Sequence, residues 1–217
     1  MFIIDEARSI GTANFQLILT FLRSVLSGLL ISRHKVRVGI VTYSSRPKAH
    51  VYLNTFKDQA ELLQYINILP YNAGDRYTGA ALNFTWENIF TDKRNNAQRV
   101  AVVITGGKSK DSVREAATSL RRNGVTIYAV GMDTNTAELE MMASYPTYEH
   151  VYTMNSFTKL KPLRQSLLKY LCSNIIREVI RVSTRDTYVR QGLNNCILIV
   201  VFGYMSIDKI YKHKVQV

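Results

Sequence analysis

Arg99-Val100-Ala101-Val102-Val103-Ile104-Thr105 decides how this chain is read. The apolar run inside it has no polar alternation, which predicts a strand buried on both faces, the kind found in parallel sheets. A different period follows. Asp111 to Arg122 sets Val113, Ala116, Ala117 and Leu120 at helical spacing, and it meets Asn123-Gly124, a left-handed helix stop. Val125 to Val130 is then a second central strand, and Thr78 to Phe90 is a helix on the other side of the opening run. Short apolar runs alternating with helical periodicity predict parallel strands covered by helices.

Reading outward, the first helix has the clearest stripe, with Phe15, Ile18, Leu19, Leu22, Val25, Leu26, Leu29 and Leu30 on one face and Arg33-His34-Lys35 at its end. Val36 to Tyr43 is a β-branched strand. His50 to Leu53 is a short antiparallel partner, joined to it by a hairpin through Ser45-Arg46-Pro47. Asp58 to Ile68 is helical and Pro70 stops it; a loop follows through Asn72-Ala73-Gly74-Asp75. Ala137 to Ala143 is a short helix and Val151-Tyr152 a short strand. Ser156 caps a last helix with the stripe Phe157, Leu160, Leu163, Leu167, Leu168 and Leu171. The expected fold is α/β: a doubly wound, mostly parallel sheet with one antiparallel edge strand and helices on both faces.

At 217 residues, with 47% hydrophobic and 20% charged, the composition is that of one packed globular domain with an appendage. Eleven glycines without a triplet period exclude a collagen triple helix in this stretch, and two cysteines exclude a disulfide-dense miniature fold. Histidines at 34, 50, 150 and 213 have no zinc spacing. The net charge is +12 from 28 basic and 16 acidic residues, and it is spread: residues 1–172 carry 21 against 13, and residues 173–217 carry 7 against 3. Arg33 to Arg37 and Arg121-Arg122 lack aromatic interleaving, so they read as solvated helix ends and no nucleic-acid partner is expected.

Enzymatic signatures fail on inspection. Gly107-Lys108-Ser109 follows a strand as the end of a phosphate-binding loop would, but Val102 stands where that loop needs its first glycine. Neither G-x-G-x-x-G nor G-x-S-x-G occurs, so no enzyme and no cofactor are expected. The apolar stretch from Phe15 to Ile31 contains Arg23, and Cys196 to Phe202 is short, so no membrane span is expected. Met1-Phe2-Ile3-Ile4-Asp5 has no basic start or cleavage site of a secretory signal and reads as a truncated strand. Low stability is expected of it, to be raised by upstream β-branched residues.

The ordered motifs resemble the von Willebrand factor A domain. Phe2-Ile3-Ile4-Asp5-Glu6-Ala7-Arg8-Ser9-Ile10-Gly11 is similar to that family's F-L-I-D-x-S-x-S-I-G opening, and Arg37 to Ser44 to its R-V-G-L-V-x-Y/F-S strand. Thr78-Gly79-Ala80-Ala81-Leu82 matches T-G-x-A-L. Val102 to Ser109 looks like V-V-I-T-D-G-x-S, and Gly124 to Gly131 like G-V-x-I-Y-A-I-G. The likeness covers residues 1–172, is strongest to the A domains of type VI collagen chains and matrilins, and leaves residues 173–217 as a tail outside the family.

The resemblance implies a site at the carboxyl ends of the strands, where the family holds a divalent ion by oxygen ligands of the kind magnesium prefers. Of those positions Asp5 and Ser9 are retained. Ala7 replaces a serine, Arg76 a threonine and Gly106 an aspartate. A guanidinium would repel a divalent ion by several kcal/mol at about 4 Å and an effective dielectric of about 20. No metal is therefore expected. Arg76 is expected to pair with Asp5; the alternative has Arg76 in solvent and Thr78 partly replacing the missing threonine. Arg8, Arg76, exposed Tyr77 and Lys108 form the expected ligand face.

By family resemblance the chain is expected to be an adhesion or protein-interaction module of the extracellular matrix. Its partners would be matrix or cell-surface proteins, acidic ones included, or neighbouring A domains. The alternative is a cytoplasmic A-domain scaffold, since no signal opens the chain. Asn83-Phe84-Thr85 is a glycosylation sequon that matters only on the secretory route. Cys172 pairs either with a cysteine upstream of Met1 or with Cys196. The Ile197–Phe202 run is expected to lie outside the core, so that a chain ending at Cys172 folds at least as well.

Overall fold

The computed structural model describes residues 1–90 and 97–183. Its elements in chain order are β1 (Phe2–Asp5), α1 (Thr12–Leu26), β2 (Ile40–Tyr43), β3 (Pro47–Val51), α2 (Gln59–Ile66), α3 (Thr78–Asn88) and β4 (Arg99–Thr105). There follow α4 (Arg114–Arg122), β5 (Val125–Met132), α5 (Thr136–Met142), α6 (Thr147–His150), β6 (Val151–Met154) and α7 (Leu160–Ser183). The strands form one sheet in the order β3-β2-β1-β4-β5-β6, and β3 is the antiparallel member, at the edge against β2.

Alternation along β1 sends Phe2 and Ile4 to one face and Ile3 to the other. Phe2 and Ile4 join a core with Phe15, Ile18 and Leu22 of α1, Leu62 and Ile66 of α2, and Leu160, Leu167 and Leu168 of α7. Ile3 joins Ala81 and Leu82 of α3, Ala117 and Leu120 of α4, and Leu139 and Met142 of α5. The four residues of β1 are buried and flanked by a strand on each side, so this strand ties the two cores together.

Several boundaries depart from the sequence reading, β2 among them, which begins at Ile40 instead of Val36, and three of them have a tertiary reason. The α1 stripe was expected to run to Leu30, yet the helix ends at Leu26, because Gln59 Nε2 donates to the carbonyls of Leu26 (2.8 Å) and Leu29 (2.7 Å). The Leu26 carbonyl belongs to the last turn of α1, and Leu29 lies in the turn that follows it. The edge strand begins at Pro47 instead of His50; Pro47 lies opposite Tyr43, where an edge position does not need the amide that proline lacks. α4 begins at Arg114 instead of Asp111, because Asp111 is engaged elsewhere.

The expected stop at Asn123-Gly124 is present: Gly124 has φ 78°, a left-handed conformation suited to glycine, and its amide returns to Arg121 O at 3.0 Å. Ser156 accepts from Thr158 N and opens a short 3-10 turn, Phe157–Lys159, ahead of α7. The last helix was expected to close at Cys172; it continues to Ser183, with Cys172 buried on it. Cys196 and the Ile197–Phe202 run lie outside the described residues. No helix among the described residues is long and apolar enough to cross a membrane.

Candidate functional site

The chain leaves β1 toward β2 on one side, and β4 returns on the other, so the strand order reverses around the carboxyl end of β1. In open α/β sheets such a switch point opens a crevice where ligands bind. Here three loops meet over it, residues 6–10, 72–77 and 106–110. The first two are joined by Arg8 N to Gly74 O at 2.8 Å, the second and third by Lys110 N to Arg76 O at 2.8 Å.

Asp5 lies at the centre and is fully buried. Its Oδ1 accepts from Ala7 N at 2.8 Å, and its Oδ2 from Gly106 N at 2.9 Å, with Thr105 Oγ1 at 3.2 Å. Arg76 Nε donates to the same Oδ2 in a close ion pair, and Arg76 Nη2 donates to Ser9 Oγ at 2.8 Å. Only 11% of the Arg76 side chain is exposed, so it turns inward and not into solvent. Thr78 does not reach toward Asp5; its hydroxyl donates to Tyr43 OH at 3.2 Å. Burial first, then the charge of Asp5, pushes the Tyr43 phenol well above its ordinary range, so it stays neutral.

The two glycines after β4 make room for the guanidinium. A Cβ on Gly106 would stand 2.2 Å from Ile10 Cδ1 and 3.2 Å from Arg76 Nη2, and a Cβ on Gly107 would stand 2.9 Å from Arg76 Nη1. Both are closer than ordinary contact. Arg8 and Lys108 are exposed on the rim. Tyr77, expected to be exposed, is half-buried, because its amide is tied to Ser44 O at 3.2 Å and it stands directly before α3. Asn83 is exposed on α3, whereas Thr85 of the same sequon is buried and donates to Ala81 O at 2.8 Å.

Sequence reasoning missed acids at this end, among them Asp111 and Glu6. Asp111 caps α3 from another loop: its carboxylate accepts from Gly79 N at 2.8 Å and Ala80 N at 2.7 Å, and Ser109 Oγ donates to it at 2.5 Å. A helix N-terminus favours an anion there. Glu6 is 2% exposed; its carboxylate accepts from Thr42 Oγ1 and from Asn72 N, each at 3.0 Å. The single proton of Thr42 goes to Glu6, so the 2.8 Å bond between Thr42 Oγ1 and His50 Nε2 has the imidazole as donor. Burial raises the Glu6 carboxyl above its ordinary value, opposed by those hydrogen bonds and by Lys48. Burial also lowers His50, and Lys48 adds to the effect. An acid directly after a strand is the only sequence sign of Glu6, and it does not name a partner.

The description "von Willebrand factor type A domain" fits residues 1–166. The mouse collagen alpha-4(VI) chain is 34% identical over 185 residues, which is 82% of this chain and 8% of the collagen. Mouse vitrin is 31% identical over 173 residues, 79% of this chain and 27% of vitrin. Among solved structures, proximal thread matrix protein 1 from the mussel byssus, with a zinc-occupied MIDAS motif, aligns at a TM-score of 0.71 and 26% identity. That alignment covers 79% of this chain and 47% of the mussel protein. The chain thus spans a small part of the collagen and about a quarter of vitrin.

Proposed function

The chain belongs to the von Willebrand factor type A domain family, and we propose that it is a protein-interaction module of the extracellular matrix whose ligand site works without a metal ion. Residues 1–172 would form the domain and residues 173–217 its appendage. The relatives are named as collagen chains and a thread matrix protein, which favours a binding or structural role over catalysis and supports a matrix address.

The observation that carries the metal-independent reading is the guanidinium of Arg76 on Asp5. The family's divalent ion needs oxygen ligands with free lone pairs, and the residues present do not fit it. Asp5 already meets three donors and a cation, Ala7 and Gly106 bring no side-chain oxygen, and Ile10 fills the space beside Gly106. Charge repulsion adds to this, since the cation is attached to the fold. Arg8 and Lys108 then favour acidic partners, and such contacts weaken with salt and ignore a chelator.

Calorimetry with magnesium chloride tests the site. The unaltered chain is expected to give no binding in the low-millimolar range, whereas Ala7→Ser, Arg76→Thr and Gly106→Asp combined, with Ile10→Val to admit the new Cβ, should bind. Tight magnesium binding by the unaltered chain, or none by the folded replacement, would overturn the assignment. Secretion of a longer chain with a glycan at Asn83 would support the matrix address, and retention as a reduced cytosolic protein would refute it.

A further inference from the structure

The two faces of α4 are unlike. Ala116, Ala117 and Leu120 are buried in the core that α4 shares with α3 and α5, whereas Arg114, Glu115 and Arg122 are exposed on the other side. Arg121, next to Arg122 in the chain, turns away from them. Its Nη1 donates to Met141 O at 2.9 Å and Met142 O at 2.6 Å, at the end of α5, and its Nη2 donates to Thr118 Oγ1 at 3.1 Å. Thr118 accepts there and keeps its own proton to donate outward. Arg99 extends the basic row from β4, since its Nη1 donates to Asn123 O at 3.2 Å. Among the described residues neither Arg114 nor Arg122 has a hydrogen-bond or ion-pair partner for its side chain.

These side chains line an open groove of about 390 Å³ on the outer face of α4, formed by Arg114, Glu115, Thr118, Ser119, Arg122 and Asn123. The two arginines stand at opposite ends of the helix, about 12 Å apart along its axis, with hydroxyls and an amide beside them. We propose that this groove binds a sulfated glycosaminoglycan chain, at a surface distinct from the crevice over β1 and β4. Cations at both ends and neutral hydrogen-bonding groups between them suit a polymer that carries anionic groups at intervals with hydroxyls in between. No lining residue is apolar or aromatic. A protein partner needs an apolar centre to its interface, and a single nucleic-acid strand needs rings on which its bases stack. α4 also lies between α3 and α5 in one layer, so it does not project as a helix must to enter the major groove of a duplex. Glu115 acts against an anionic ligand, but two arginines outweigh it, and Arg99 and Arg121 add to the positive potential. Every contact is exposed to solvent, so the affinity falls steeply with salt.

The test titrates a heparin hexasaccharide, and in parallel an unsulfated heparosan hexasaccharide, into the 15N-labelled chain and follows the NMR spectrum. Heparin should shift the amide resonances of residues 114–123 saturably. Arg114→Gln with Arg122→Gln should weaken heparin about tenfold, as loss of two exposed charge pairs implies, and heparosan should be weaker than heparin by a similar factor. Glu115→Gln removes the opposing charge and should strengthen heparin about threefold. Lys159→Gln with Lys161→Gln takes the same charge from the start of α7, on the other face of the sheet, and should leave the midpoint where it was. Shifts confined to the loops of Arg8 and Lys108, equal responses to the two oligosaccharides, or a loss in the lysine variant as large as in the arginine variant overturn the proposal. Equal or tighter binding of a short DNA duplex at α4 overturns it as well, since the surface would then be a general polyanion site. If the arginine variant does not fold, Glu115→Gln decides by itself: a gain in heparin affinity supports the groove, and no gain overturns it.

Discussion

Asp5 and Glu6 are neighbours in the chain, both buried at the end of β1, and they have opposite surroundings. Asp5 faces β4 and the loop of Arg76, where it meets a guanidinium besides Ala7 N, Gly106 N and Thr105. Glu6 faces β2 and Asn72, where its donors are neutral, and Lys48 acts on it only as a nearby charge. A buried carboxylate keeps its charge cheaply only beside an opposite charge and enough donors. One end of a single strand thus holds a closed ion pair on one side and an acid prone to protonation on the other. The ion-pair side carries the candidate ligand site, and the Glu6 side anchors the loop that delivers Arg76.

The sharpest way to break this contrast is Arg76→Ala, which leaves Asp5 buried without its cation. Chemical unfolding should show a loss of about 3–5 kcal/mol, and adding Asp5→Asn should recover much of it, because the uncompensated charge is removed. Full additivity of the two changes would mean that they do not form a coupled pair. On the other side, Thr42→Val removes a donor from Glu6 and the acceptor of His50, and should cost about 1–3 kcal/mol in the same assay. Asp111→Ala, beside the ion pair but not part of it, should cost about 1–2 kcal/mol through loss of the α3 cap.

The smallest effect sharpens the contrast through pH. Glu6 is raised in the folded state, so its contribution to stability is full below its ordinary value of 4.5 and is lost as pH rises through the folded value. His50 is lowered, so its contribution is full above its ordinary value of 6.5 and is lost as pH falls. Between these values the two oppose each other. Glu6→Gln should leave stability rising with pH in that interval, and His50→Gln should leave it falling, as melting temperatures across buffers would reveal. The same sign of change in both variants would show that burial does not shift the two groups in opposite directions.

The sheet and both helical layers were legible in the chain because burial repeats with the period of each element. The run from Val100 to Ile104 could be satisfied only between two strands, and the α1 stripe only against a sheet. The interest of Asp5, Ser9, Arg76 and Gly106 came from the resemblance of their motifs to the family's, which pointed to the strand ends. Glu6 escaped because its partners, Thr42 and Asn72, are 36 and 66 residues away, and nothing local reports such a separation. Asp111 misled for a related reason: the helical spacing of Val113, Ala116, Ala117 and Leu120 places it at the start of the helix that follows, yet it caps α3.

By itself, then, the sequence determined the order and type of the elements and the single antiparallel edge, since each is carried by residue type and spacing. Only the tertiary structure decided that Arg76 turns inward to Asp5 and Ser9, that Ile10 closes the space beside Gly106, and that Gln59 ends α1. These outcomes depend on which donors and volumes the folded loops bring within a few ångströms, and that proximity exists only once β1, β4 and the loop between α2 and α3 have packed.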